Sequence, residues 1–142
     1  MRTIFVFGSN REGRHGKGAA LFAKLYHGAL QGYPEGLQGD SYAIITKELR
    51  PWVAKVTLAD VKAGVDRFIE FANTHKYLEF IVTPIGTSLA GFTISQIAPL
   101  FASVEDALNV RLCTEIRREL AIQRGDEYVP VPAQPFDSEP SK

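Results

Sequence analysis

The feature that most constrains this chain lies at its start. An unbroken apolar run, Thr3-Ile4-Phe5-Val6-Phe7, stops at Gly8 and gives way to a polar segment with glycines at 8, 13, 16 and 18. A short continuous apolar run is the pattern of a strand buried on both faces. The segment that follows, Gly8-Ser9-Asn10-Arg11-Glu12-Gly13-Arg14-His15-Gly16-Lys17-Gly18-Ala19-Ala20, must then carry the chain from strand to helix. Glycines let backbone amides turn toward an anion, and a helix opening near Gly18 points its positive end the same way. Small Ala19 and Ala20 allow close approach, while Arg11, Arg14, His15 and Lys17 add local positive charge. The Gly-Lys-Ser/Thr ending of a Walker loop is absent, and the glycine spacing is not that of the dinucleotide fingerprint. The plain alternative is a flexible solvent loop in which His15 is an ordinary surface histidine.

The rest of the chain alternates strand and helix patterns. Ala19 to Gly32 reads as a helix with Leu21, Leu25 and Gly28 or Ala29 on one stripe and Gly32 at its end. Tyr33 to Gly39, which holds Pro34, Gly36 and Gly39, reads as a loop. Ser41 to Thr46 is a second strand, and Lys47 to Val56 is irregular around Pro51 and Trp52. Thr57 caps a helix with Asp60 at N3 and Val61, Val65, Phe68, Ile69 and Ala72 at helical spacing. Glu79 to Pro84 is a third strand, Ile85 to Phe92 a loop, Ser95 to Val104 a helix with Pro99 in its first turn, and Asn109 to Thr114 a further strand. Glu115 to Gln123 fits either a short helix or a strand with a turn. This alternation predicts an α/β domain with a mostly parallel sheet. Ligands of such sheets sit at the carboxyl ends of the strands, where the loops after Phe7, Thr46 and Pro84 gather.

The chain has 142 residues, enough for one domain with its own core, and residues 1–124 are expected to form it. From Gly125 onward Pro130, Pro132, Pro135 and Pro140 replace core residues, so residues 125–142 are expected to be an extended arm or disordered tail. Lys plus Arg equals Asp plus Glu at 16 each, so any recognition of an anion must be local. The single cysteine, Cys113, allows neither an internal disulfide nor a Cys-rich metal site, and no His and carboxylate spacing suggests a catalytic metal. No cofactor is implied. No apolar run approaches a membrane span and no signal segment precedes the first strand, so the expected location is the cytosol, with no membrane partner.

Two further segments carry chemistry. Ile85-Gly86-Thr87-Ser88-Leu89-Ala90-Gly91-Phe92 again sets glycines and small hydroxyls after a buried strand. Its amides can clasp a second phosphate and Phe92 can stack on a base or ribose. Equally, the segment can be a tight strand-to-helix turn with Phe92 in the core. Thr46-Lys47 ends the second strand, and a lysine there can pair with phosphate or attack a sugar aldehyde once burial keeps it neutral. Its ordinary alternative is an exposed surface lysine. Trp52 can cover a ligand or join the core.

Several of these segments, in order, resemble the macro domain superfamily, the ADP-ribose-binding fold. They are Val6-Phe7-Gly8-Ser9-Asn10, Gly16-Lys17-Gly18-Ala19-Ala20-Leu21-Phe22-Ala23-Lys24, Tyr42-Ala43-Ile44-Ile45-Thr46-Lys47, Thr83 to Phe92 and Ile97-Ala98-Pro99-Leu100-Phe101. The resemblance covers residues 3 to 104 and is to the compact branch that includes terminal ADP-ribose glycohydrolases and macro-like proteins of phages and bacteria. It implies a three-layer α/β/α sandwich with a mixed, mostly parallel sheet, binding ADP-ribose or a related NAD-derived nucleotide. Adenine would pack near the first strand, the diphosphate between the two glycine loops, and the distal ribose near Asn10 and Lys47.

In the glycohydrolase branch a lysine attacks the anomeric carbon with help from an aspartate in the second phosphate loop. Lys47 falls on that lysine, but Ala90 falls on the aspartate. Glu48, next to Lys47, would face the opposite side of the strand. The resemblance therefore implies a binding site formed by Gly8, Ser9, Asn10, Arg14, His15, Gly16, Lys17, Gly18, Ala19, Thr46 and Gly86 through Phe92, and leaves catalysis by Lys47 and Asn10 open. A glycohydrolase or ADP-ribose phosphate phosphatase is the enzymatic alternative. A nucleic-acid or protein-interaction module built on Arg11 to Lys17 is the third reading, against which net neutrality counts. Oligomeric state stays open.

Overall fold

The strand that the apolar run predicts is β1 (Arg2–Asn10), the middle strand of a five-stranded sheet in a computed structural model that describes residues 1–126. The sheet order is β2-β3-β1-β4-β5, with β2 (Gly36–Gln38), β3 (Ser41–Lys47), β4 (Leu78–Val82) and β5 (Val110–Leu112). β3, β1, β4 and β5 run parallel, and only the three-residue edge strand β2 is antiparallel. Of the expected C-terminal arm, residues 127–142 lie outside the described residues.

Alternation along β1 explains the layering. Phe5 and Phe7 pack with Ala20 and Ala23 of α1 (Gly18–Tyr26) and with Ala29 and Ala43. Ile4 and Val6 join the larger core on the other face. That core takes Val61, Val65 and Phe68 from α2 (Leu58–Asn73), Ile97 from the single turn α3 (Ile94–Ile97), Phe101 from a 3-10 helix (Ala98–Val104), and Ile116 and Leu120 from α4 (Thr114–Gln123). Helices thus cover both faces, giving the α/β/α sandwich expected of a strand buried on both sides.

α2 starts where its sequence signature says. The Thr57 hydroxyl accepts the Asp60 N–H at 3.1 Å, and the Asp60 carboxylate accepts the Thr57 N–H at 2.9 Å. This capping box satisfies two amides that helix geometry leaves unpaired. Its apolar stripe then presents Phe68, whose ring meets Phe80 edge-on at 5.4 Å and Tyr42 at 5.2 Å.

Several boundaries depart from the sequence reading. α1 stops at Tyr26 rather than Gly32, because Gly28 turns the chain with φ of +75° and lies against Gly39, where a Cβ would come within 3.0 Å of the Gly39 Cα. The expected loop Tyr33 to Gly39 contains β2. β1 runs on to Asn10, so Ser9 and Asn10 belong to the strand end and not to a loop. The helix expected over Ser95 to Val104 is one α turn followed by the 3-10 helix, with Pro99 near the start of the latter. Glu115 to Gln123 is helical.

Candidate functional site

The carboxyl ends of β1, β3 and β4 open into one cleft of about 790 Å³. The end of β1 supplies Gly8, Ser9 and Asn10; the loop after it supplies Arg14, Gly16 and Lys17; the start of α1 supplies Gly18, Ala19 and Ala20. From the β3 side come Thr46, Lys47 and Leu49, and from the β4 side Thr83 through Ala90. Parallel strands put all three loops on one edge, so residues far apart in sequence converge without further device.

A register shift in the β1–β3 pairing between Ser9 and Asn10 sets Asn10 opposite Lys47. Bulges of this kind turn side chains at strand ends toward sites. The Asn10 side-chain amide donates from Nδ2 to the Arg14 carbonyl at 2.8 Å, and its Oδ1 accepts the Arg14 N–H at 2.9 Å. Asn10 therefore shapes the loop, retaining one free N–H and one oxygen lone pair for anything in the cleft.

The loop ends on α1, whose N-cap residue Lys17 makes no side-chain cap and whose first turn holds no acidic residue. Gly18, Ala19 and Ala20 of this turn line the cleft wall. On the opposite wall Gly86 takes φ of +73°, a conformation open to glycine. A Cβ there would press within 3.3 Å of Ile97 and 3.4 Å of Phe92. Gly8 is equally constrained: a Cβ would lie 3.4 Å from the Gly86 nitrogen. The end of β1 comes this close to the loop after β4 because Gly8 has no side chain.

The hydroxyls of the site are mostly committed. Ser9 donates to the Pro34 carbonyl, Thr46 to the Ser9 carbonyl at 3.2 Å, Thr83 to the Val6 carbonyl at 2.8 Å and Thr87 to the Pro84 carbonyl at 2.8 Å. They lock the strand ends.

The basic segment Arg11 to Lys17 is divided by the fold. Arg11 points away from the cleft lining, donating to the Ala54 carbonyl at 2.8 Å and to Glu48 at 3.2 Å, with Asp60 at 3.5 Å. Glu48 also accepts the Arg50 N–H at 2.9 Å and its Nε–H at 2.8 Å. These bonds from Arg50, with Arg11 behind them, hold the Glu48 carboxyl down to about 2. Glu48 is thus spoken for and does not line the cleft; it lies just past the end of β3, so its ion pairs and not strand alternation hold it away.

His15, Gly91 and Phe92 are the expected site residues that the cleft lining does not include. His15 is fully buried instead of lying on the surface. Its ring edge meets Phe7 at 5.2 Å and its Nε2 lies 3.2 Å from Gln38 Oε1, while Gln38 accepts the Leu30 N–H and donates to the Tyr33 carbonyl. Burial pushes the His15 pKa below its ordinary value, against hydrogen bonding that raises it. Phe92 is half-buried against the larger core and packs over Gly86. Conversely, Leu49 lines the cleft and escaped the sequence reading, while Ala20, Thr83, Pro84 and Ile85, which also line it, were read there as parts of the two loop segments without being named as site residues. Leu49 carried no signal, since nothing marks an isolated leucine in an irregular segment.

The charged residues of the lining are Arg14, Lys17 and Lys47, with no carboxylate and no histidine among them. Among the described residues, no group of three or more His, Cys, Asp or Glu is placed to hold a metal ion, and no helix is long and apolar enough to cross a membrane. Cys113 is buried, and burial raises its thiol to about 12, so it is inert toward the site. Comparison of the chain with family models, curated proteins and solved structures finds no match.

Proposed function

We propose that this protein binds ADP-ribose or a related NAD-derived nucleotide in the cleft at the carboxyl ends of β1, β3 and β4. The observation that carries this reading is the charge of the lining: Arg14, Lys17 and Lys47 converge there and no carboxylate is part of it, Glu12 pairing with Arg14 at 3.7 Å from outside the lining. In a net-neutral chain that separation of charge marks an anion site. A diphosphate fits between the amides at the start of α1 and those of the Gly86 loop, each group reinforcing the other. Asn10 and Lys47, side by side past the phosphate loops, then meet the hydroxyls of the terminal ribose. The volume of about 790 Å³ lies within the range of nucleotide-sized pockets.

The macro-like order of motifs supports the same reading. Binding, rather than turnover, is its content, because Ala90 leaves Lys47 without a carboxylate partner in the cleft. Titration calorimetry tests it: ADP-ribose should bind well above AMP and ribose 5-phosphate, whereas absence of heat with ADP-ribose removes the reading. A panel of ADP-ribosylated substrates, incubated with wild type and Lys47→Ala, should show no lysine-dependent turnover.

A further inference from the structure

Immediately beyond Lys47 the character of the cleft changes. Leu49, two residues on along the β3 side, and Leu89, on the loop after β4, both line it and both remain wet, at 38% and 62% exposed. β3 and β4 flank β1 on opposite sides, so the two leucines reach the cleft lining from the segments that follow the strands on either side of the central one.

Both are held in fixed backbone. Leu49 sits between Glu48 and Arg50, which clasp each other through the Arg50 N–H at 2.9 Å and Nε–H at 2.8 Å, and Arg11 ties the same carboxylate to β1 at 3.2 Å. Leu89 lies within a closed loop in which the Phe92 N–H reaches the Gly86 carbonyl at 2.9 Å and the Gly91 N–H reaches Ser88 at 3.1 Å. A large apolar side chain presented to solvent from rigid backbone, twice, across one cleft, is suited to covering an apolar surface that arrives with the ligand.

Resting on the reading above, which puts the terminal ribose against Asn10 and Lys47, we infer that Leu49 and Leu89 grip a flat ring attached to that ribose. The ligand class is then an ADP-ribose whose terminal sugar carries a planar group, and the ring is electrically neutral. A cationic ring would enter a cleft whose lining holds Arg14, Lys17 and Lys47 and no carboxylate, with Glu12 outside the lining 3.7 Å from Arg14.

The experiment is a set of titrations of the full chain with ADP-ribose, NADH and NAD+. NADH carries a neutral dihydronicotinamide ring on the terminal ribose, and NAD+ the cationic counterpart. Trp52, the only tryptophan, lies in the turn just after Leu49, so transfer of its emission to NADH supplies a second signal beside heat. NADH should bind at least about fivefold more tightly than ADP-ribose, the advantage of covering part of one ring, and more tightly than NAD+. In Leu49→Ser and Leu89→Ser, whose folds should persist because both side chains are on the surface, the ratio of NADH to ADP-ribose affinity measured within each variant should fall to about one, with ADP-ribose binding itself retained in Leu49→Ser. ADP-ribose binding with NADH no tighter, or an NADH advantage that survives both substitutions, overturns the ring subsite and leaves the proposed function standing. Failure of all three nucleotides to bind removes the proposed function and the subsite with it.

Discussion

The side chain of Asn10 closes a ring with the main chain of Arg14, donating to its carbonyl at 2.8 Å and accepting its N–H at 2.9 Å. The arrangement is a loop clamp at the end of β1, and it fixes the direction in which the next residues leave the strand. Asn10→Asp keeps the size and the acceptor but loses the donor, and it adds a negative charge beside the phosphate loop. We expect a small fall in melting temperature, as neutral hydrogen bonds contribute about 1 kcal/mol each, and a loss of ADP-ribose affinity of about tenfold or more. Unchanged affinity in Asn10→Asp would show that the clamp does not shape the site.

Gly16 and Gly18 separate the geometry of the loop from its stability. A Cβ on Gly16 meets nothing within 4 Å, and the residue lines the cleft, so a side chain there enters the space reserved for ligand. Gly16→Val should melt as wild type does and bind ADP-ribose at least about tenfold more weakly, roughly 1.4 kcal/mol. Gly18 has φ of +57°, which a β-branched residue adopts only under strain. Gly18→Val should lower both stability and affinity. Equal binding by Gly16→Val and wild type would refute the phosphate-loop assignment.

Ala90→Asp places a carboxylate in the lining that has none, in the same cleft as Lys47. Repulsion of the diphosphate should weaken ADP-ribose binding, with the loss shrinking as added salt screens the charge. It should also confer release of ADP-ribose from ADP-ribosylated substrates above the wild-type level, and a second substitution, Lys47→Ala, should abolish that gain.

His15 gives the protein a pH dependence whose sign follows from its burial. Its pKa lies below the ordinary 6.5 in the folded state, chiefly from burial, with Lys24 adding in the same direction. The unfolded chain therefore takes up the proton first. The stability due to neutral His15 is complete above about 6.5 and declines as pH falls through 6.5 toward the lowered folded value. His27, also lowered by burial though opposed by Asp40, acts the same way. Melts at pH 7.5 and 5.5 should show the loss, and His15→Gln should flatten it.

The parts of the fold legible in the sequence are those where one segment carries its own signal. β1 announced itself by its apolar run, α2 by Thr57 and Asp60 ahead of a helical stripe, and the glycine loops by their place after strands. What was not legible depends on pairs distant in the chain. His15 is buried because Gln38, 23 residues on, receives it, and Gln38 lies on the three-residue strand β2, which sequence patterning reads as loop. The stripe Leu21, Leu25 and Ala29 suggested a helix to Gly32, yet α1 buries only Ala20 and Ala23, and Leu25 stays exposed. The capping box of α3, in which Thr93 accepts the Gln96 N–H at 3.2 Å and Gln96 accepts the Thr93 N–H at 2.9 Å, starts that helix ahead of the Ser95 start expected from sequence. In the cleft, the lining glycines and the cations Arg14, Lys17 and Lys47 were legible from sequence as residues, while the apolar rim was not, since exposure of a leucine is a property of the folded surface.

The central claim is tested most directly by a crystal structure of the protein with ADP-ribose. The account predicts the diphosphate between the first-turn amides of α1 and the loop from Gly86 to Leu89, within reach of Arg14 or Lys17, and the terminal ribose against Asn10 and Lys47. A nucleotide bound elsewhere on the molecule, or a diphosphate held away from both loops, would contradict it.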